Sequence, residues 1–310
     1  MNTILGAGGV IAKGLADILV NEGESVRWVS RKPVSRRGVE AFPADIMDPA
    51  QARQAILQSS IVFLCVGLKY DYRVWRMQWP KIMRNTIEAC QETGARLIFV
   101  DNVYMYGKVD GMMTEDSIYH PTSKKGEVRA RIATNLMSEV RNDRLQAIIA
   151  RSADFYGPDA DRTGIVNRLV FENLAKQKSA QWLVNADTRH SFTYTPDAVR
   201  AIYLLAKSPD SWNQVWHLPT SPDPLTGREF IKAAAEALDA PDRYSLLRPW
   251  MIRMAGIFNR TIAELAEMNY QYKFDYLFDS SKFEKAYGFK PTGYREGIVA
   301  TAAAYSLKKS

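Results

Sequence analysis

The stretch Thr3-Ile4-Leu5-Gly6-Ala7-Gly8-Gly9-Val10-Ile11-Ala12 reads as a short apolar strand, a glycine turn and the first turn of a helix. Beyond it Ile11, Leu15, Ile18 and Leu19 recur at helical spacing, and Val26, Trp28 and Val29 resume a strand, which completes a βαβ unit. A glycine turn placed directly between strand and helix is the context of a dinucleotide fingerprint. Gly6 allows the tight turn, and Gly9 lets the backbone approach a pyrophosphate. Ala12 is small enough for close packing. Gly8, Val10 and Ile11 complete the loop, whose helix end offers unpaired N–H groups to an anion.

Working outward, strands and helices keep alternating. Ser60–Val66 reads as a buried strand and Trp75–Thr93 as a helix closed by Gly94; Arg96–Val100 and Leu145–Arg151 are further strands. This alternation predicts an α/β fold of the Rossmann type, a doubly wound parallel sheet with helices on both faces. After Gly157-Pro158 the pattern loosens. Helices are expected at Ile165–Lys178, Asp197–Lys207, Gly227–Leu238 and Tyr294–Leu307, and short strands at Phe192–Thr193 and Val215–Leu218 are expected to return to the sheet. The domain organisation that follows is a dinucleotide-binding domain over 1–155, with 185–220 returning to it. A smaller, discontinuous substrate lobe takes 156–184 and 221–310.

The second strand ends Val29-Ser30-Arg31-Lys32. NAD-selective sites end that strand with an acid that accepts from the ribose hydroxyl, and here there is none. Arg31, flanked by Ser30 and Lys32, can instead clamp a 2′-phosphate. At about 4 Å and an effective dielectric of about 20 the attraction reaches ~4 kcal/mol before desolvation. The expected cofactor is therefore NADP(H) in preference to NAD(H). Topology adds Asp45 and Ile46 near the adenine, and Val66 and Gly67 beneath the ribose, because ligands lie beyond the carboxyl ends of such strands.

The totals exclude several classes. The 310 residues, 46% hydrophobic and 24% charged, carry a formal net charge of +7, but basic and acidic residues alternate along most of the chain, so nucleic acid is not expected as a partner. Only Cys65 and Cys90 occur, each in an apolar stretch, which offers no disulfide framework and fits a reducing cytoplasm. His120, His190 and His217 lie far apart without other ligands at metal spacing, so no metal is expected. Met1–Val20 lacks a basic n-region, and no apolar run is long enough to span a membrane; no membrane partner is expected.

The chain resembles the extended short-chain dehydrogenase/reductase superfamily, the NAD-dependent epimerase/dehydratase group. The resemblance rests on Gly6–Ala12, on Asp101-Asn102-Val103-Tyr104-Met105-Tyr106-Gly107, and on Arg151-Ser152-Ala153-Asp154-Phe155-Tyr156-Gly157-Pro158. Asp279-Ser280-Ser281-Lys282 and Gly288-Phe289-Lys290-Pro291 extend it nearly end to end. It implies a catalytic serine or threonine where this chain has Asn102, and a tyrosine-x-x-x-lysine pair where it has Lys125 and Arg129. The standard proton donor is therefore absent, and the chain resembles an atypical member. Tyr104, at the end of the fifth strand, and Lys125 are the candidates to donate a proton instead, and Asn102 can donate a hydrogen bond to a developing oxyanion. The same resemblance makes Tyr106 a packing residue and puts His190 where nucleotide-sugar enzymes often place an arginine, a structural histidine being the other reading. Asp154, directly after the sixth strand, is expected to orient the substrate, the nicotinamide amide or a catalytic lysine, or to cap the turn, and Tyr156 is placed with it on the substrate side. Tyr70, with Tyr72, Trp75 and Trp79, would line an apolar pocket; Tyr270, Tyr272, Phe274 and Tyr276 alternate as a strand does.

The expected activity is hydride transfer to or from a small apolar or aromatic carbonyl or activated alkene. A redox-neutral epimerase or isomerase that retains its cofactor, and a non-catalytic NADP(H) sensor, stay open beside it. Oligomeric state stays open; the resemblance implies that a homodimer would pair through long helices, here Val74–Thr93 and Lys124–Arg141.

Overall fold

The computed structural model describes residues 1–307. The chain forms two compact units, the first comprising Met1–Met105, Lys124–Arg151 and Ala198–Trp216, and the second Tyr106–Ser123, Ser152–Asp197 and the residues from His217 onward.

The first unit holds a seven-stranded sheet. Its strands are β1 (Asn2–Leu5), β2 (Val26–Ser30), β3 (Val39–Pro43), β4 (Ile61–Leu64), β5 (Arg96–Asp101), β6 (Ala147–Arg151) and β7 (Gln214–His217), in the order β7-β6-β5-β4-β1-β2-β3. Every pairing from β3 across to β6 is parallel. β1, β4 and β6 are buried at every residue, as expected of strands covered on both faces, whereas the edge strand β3 is largely exposed. The order reverses between β1 and β4, the switch point beside which such sheets open a crevice at their carboxyl ends.

Helices α1 (Val10–Asn21), α2 (Pro49–Ile56), α3 (Tyr72–Thr93) and α4 (Lys124–Arg141) come after strands of this sheet in the chain, and α5 (Thr195–Lys207) leads into β7. Their limits have local causes. Asp48 and Asp71 accept from Gln51 N–H and Arg73 N–H at the starts of α2 and α3, and Gly94 closes α3 in the left-handed region at φ 73°.

The second unit buries an aromatic core of Tyr156, Phe171, Trp182, Phe192, Phe230 and Tyr294. Gly227–Ala237 starts with a capping box in which Thr226 and Glu229 satisfy each other's backbone N–H groups. Two expectations are corrected here. Phe192–Tyr194 does not return to the large sheet; it pairs in parallel with Asp154–Tyr156 inside the second unit, while Gln214–His217 does join the sheet. Nor do the aromatics Tyr270–Tyr276 form a strand: Ala266–Tyr272 is a 3₁₀-helix, and Met268, Gln271 and Tyr272 are buried at helical rather than alternate spacing. The expected helix after Ile165 contains a π-helical turn, Asn167–Phe171, that runs into Glu172–Ala175.

Gly6 adopts φ 95°, and a Cβ there would lie 2.6 Å from the Val66 Cα. Gly6→Ala should therefore lower unfolding free energy by at least about 2 kcal/mol in urea titration, through backbone strain and collision together.

Candidate functional site

The glycine loop is built by two backbone constraints. Gly6 N–H and Ala7 N–H both donate to the Val29 carbonyl, at 3.1 and 3.0 Å, which folds the turn over the end of β2. Gly6 and Gly8 both have positive φ, so Gly8 shares the turn that the sequence assigned to Gly6 alone. Gly9 caps α1 with ordinary extended angles, brings no side chain to the helix end, and has open space where a Cβ would stand. The N–H groups of Val10 and Ile11 belong to the first turn of that helix, which has no side-chain cap. An uncapped helix N-terminus behind a loop without side chains fits a pyrophosphate.

Around this loop, Ser30 ends β2, and Arg31 and Lys32 follow it exposed, with no ion-pair partner for either among the described residues. Arg36, by contrast, is taken up by Asp17 and by the Trp28 ring. After β3, Asp45 Oδ1 accepts from Met47 N–H at 3.0 Å, while the Ile46 carbonyl accepts from the buried Asn85 amide at 3.1 Å. Val66 and Gly67 leave the end of β4 with increasing exposure. Burial pushes the Cys65 and Cys90 thiols up to about 12, so neither offers a thiolate near neutral pH.

At the end of β5 the first unit gathers an aromatic group. Trp75 stacks on Tyr104 with ring centroids 6.2 Å apart and meets Tyr70 edge-on at 5.7 Å. The Lys125 ammonium lies 4.5 Å from the centre of the Tyr70 ring and is completely buried. Tyr104 is half-buried, so of these two candidates only the phenol has access to a ligand. Asn102 Oδ1 accepts from Tyr104 N–H at 3.1 Å, which fixes the turn that carries Tyr104 and leaves the amide NH₂ as the group that can face a ligand. Tyr106 is buried in the second unit. Its hydroxyl donates to His217 Nε2 at 2.7 Å, because His217 Nδ1 must carry the proton it gives to the Asp279 carbonyl.

Arg129 has a different fate from that of a ribose-holding lysine. Its Nε donates to Asp101 Oδ1 at 2.8 Å, Nη2 donates to the same oxygen, and Arg151 Nη2 reaches Asp101 Oδ2 at 3.4 Å. The guanidinium lies over Trp79 at 4.3 Å and Phe99 at 4.9 Å, and all three charged groups are buried. The sequence pattern did not single out Asp101 or Arg151 for this network. An acid at the end of a buried strand beside a strand ending in arginine was the available signal.

In the second unit, Asp154 Oδ2 accepts from His190 Nε2 at 3.1 Å and from the Tyr272 hydroxyl at 3.2 Å. His190 stacks on Tyr272 at 4.5 Å, and its buried Nδ1 has no hydrogen-bond partner among the described residues. Asp154 and His190 are thus brought together. Tyr156 is a correction: it is enclosed by Tyr194, Phe230 and Tyr294, and burial raises its phenol well above the usual range, which makes it a core residue rather than a substrate contact.

A cavity of about 280 Å³ opens at the amino ends of β1, β4 and β5, lined by Asn2, Glu24, Ser60, Arg96 and Lys207. Ligands of open parallel sheets bind at the opposite, carboxyl ends, where the glycine loop lies. Among the described residues no group of three or more His, Cys, Asp or Glu could hold a metal ion, and no helix is long and apolar enough to cross a membrane.

The model of the NAD dependent epimerase/dehydratase family matches residues 3–217. The chain belongs to that family. No curated protein sequence matches it. Solved structures of extended short-chain dehydrogenases/reductases in this family share its fold end to end. The UDP-glucose 4-epimerase of Thermus thermophilus, in complex with NAD, superposes with a TM-score of 0.79 at 19% identity, covering 98% of this chain and 99% of its own. The UDP-glucose 4-epimerase of Thermotoga maritima, with UDP-glucose, gives 0.81 at 19%, covering 100% of both chains. A double mutant of the dTDP-glucose 4,6-dehydratase of Streptomyces venezuelae, with NAD, gives 0.78 at 16%, covering 98% of this chain and 96% of its own. At these identities the likeness speaks for the fold.

Arg129→Met removes the nearer of the two guanidinium groups beside the buried Asp101 carboxylate, with Arg151 Nη2 at 3.4 Å from its other oxygen. Unfolding free energy should fall by about 3–5 kcal/mol in chemical denaturation. Intact stability with impaired nucleotide binding would instead make Arg129 a cofactor ligand.

Proposed function

We propose that this family member is an NADP(H)-dependent oxidoreductase that transfers hydride to or from a small carbonyl or activated alkene. The observation that carries the cofactor reading is the pair Arg31 and Lys32, exposed and without ion-pair partners among the described residues directly after β2, where no acid is present. We assign dinucleotide binding to the first unit and substrate recognition to the second.

In this reading the backbone of Gly6, Gly8, Gly9, Val10 and Ile11 holds the pyrophosphate, and Ser30, Arg31 and Lys32 hold the 2′-phosphate. Asp45 and Ile46 would serve the adenine, and Val66 and Gly67 the ribose. When bound, the nicotinamide supplies the hydride. The Tyr104 hydroxyl gives the substrate oxygen its proton, so that a carbonyl becomes an alcohol, and the Asn102 NH₂ donates a hydrogen bond to that oxygen as negative charge develops. Lys125, buried beneath the Tyr70 ring, orients this aromatic wall rather than moving a proton.

The paired Asp154 and His190 support an uncharged substrate, since the Asp154 carboxylate would repel a diphosphate. Tyr70, Trp75 and Tyr104 favour an apolar or aromatic one. A second reading draws on the structural relatives: a redox-neutral epimerase that keeps its cofactor through each turnover. Nucleotide released on denaturing the purified protein, without net turnover of a carbonyl panel, would favour it. Binding of both cofactor forms with no chemistry at all would favour a sensor.

Fluorescence titration should show NADPH bound more tightly than NADH, with the preference falling by about 10–100-fold in Arg31→Ala. Folded, nucleotide-free protein that binds neither would overturn the proposal. With a reducible carbonyl in hand, Tyr104→Phe should lower kcat by about 100-fold or more while nucleotide affinity holds.

A further inference from the structure

The helix Pro249–Phe258 carries its apolar face outward. Trp250 is 58% exposed, Met254 57%, Ile257 73% and Phe258 89%, whereas Ile252 is 3% exposed. At about 100° per residue, the four outward side chains and the exposed Met251 span an arc of about 120°, with Ile252 on the other side of the helix. Five of the thirteen exposed large apolar side chains among the described residues therefore fall on one ten-residue helix. Scattered apolar exposure is ordinary, but a contiguous stripe of this kind marks a surface that something covers.

The charge around the stripe selects what covers it. From Arg243 to Ala263 there is no Asp or Glu, and Arg243, Arg248, Arg253 and Arg260 are all exposed. Arg260 reaches Glu264 at 3.9 Å and still keeps nearly half of its side chain in solvent. A second copy of the chain would set these arginines against themselves with no acid from the same segment to meet them. An anionic bilayer surface answers both features at once, because it takes the apolar side chains into its interface and neutralises the arginines beside its headgroups. Tryptophan at the start of the helix suits that boundary, with an apolar ring and a polar N–H. We propose that the helix Pro249–Phe258 docks the second unit on the surface of anionic lipid membranes. This inference is independent of the activity proposed above.

The test is co-sedimentation of the full chain with phosphatidylcholine vesicles, with and without phosphatidylglycerol. Binding is expected only with the anionic lipid, accompanied by a blue shift of tryptophan emission that Trp250→Phe diminishes. The double variant Ile257→Ser/Phe258→Ser changes two exposed side chains and should keep its thermal unfolding midpoint while losing vesicle binding by about tenfold or more. Arg248→Gln/Arg253→Gln should weaken binding by a similar factor and flatten its dependence on phosphatidylglycerol content. Failure to bind anionic vesicles overturns the proposal, as does equal binding by the serine variant. A dimer in sedimentation velocity that the serine variant dissolves would give the face to a second copy and overturn it as well.

Discussion

The backbone of Gly6 passes so close to Val66 that a single added carbon would collide with the neighbouring main chain, and the cofactor end of the sheet depends on that approach. It brings the turn after β1 against the turn after β4 at the place where strand order reverses. α1 then starts with no side-chain cap at its first turn and packs on the sheet, and Arg31 and Lys32 follow the end of the adjacent strand. Side chains are excluded from the turn for steric reasons, and the resulting bare backbone is what an anion can approach.

A second constraint lies at the ends of β5 and β6. Asp101 and Arg151 terminate neighbouring paired strands, and Arg129 comes down from α4 to share the same carboxylate. Burying these charges is tolerable only because each finds an opposite charge and the Arg129 guanidinium has aromatic faces to lie against. Arg129, which stands where the resemblance implies a lysine, is thereby engaged with Asp101 in the interior. In the proposed reading the chemistry comes from the neighbouring turn, where Asn102 orders the backbone beneath Tyr104 and Trp75 backs its ring.

Much of the first unit was legible because its strands and helices switch period within a few residues and are punctuated by glycine, proline and capping aspartates. Gly6 through Ala12 announced both the fold and the anion loop. The second unit was harder for a physical reason: its core is aromatic, and an aromatic run such as Tyr270, Tyr272, Phe274 and Tyr276 alternates on paper while a 3₁₀-helix buries Met268, Gln271 and Tyr272 instead. Tyr156 stood in a recognised segment that suggested the substrate side, but three aromatic neighbours converge on it only after folding. The exposed stripe was also invisible in one dimension. Pro249–Phe258 reads as any amphipathic helix whose apolar side faces inward, and only the burial of Ile252 reveals that the larger apolar arc faces out.

The net charge of +7 has a different meaning once the chain is folded. Basic and acidic residues offset one another along much of the sequence, and acid-free basic stretches begin at Arg31 and Arg73 in the first unit and at Arg243 in the second. In the first, exposed cations follow a strand end and a glycine loop, an arrangement suited to a phosphate held at fixed points. In the second, one cation on the helix Pro249–Phe258 and others in the segments flanking it accompany solvated apolar side chains, an arrangement suited to a broad, fluid anionic surface. Asp154, in the second unit, accepts from His190 and Tyr272, the pairing on which the proposed uncharged substrate rests. In the proposed reading a charged cofactor is paired with an uncharged substrate, and an apolar substrate of that kind would partition into the same bilayer on which the outward helix is proposed to dock.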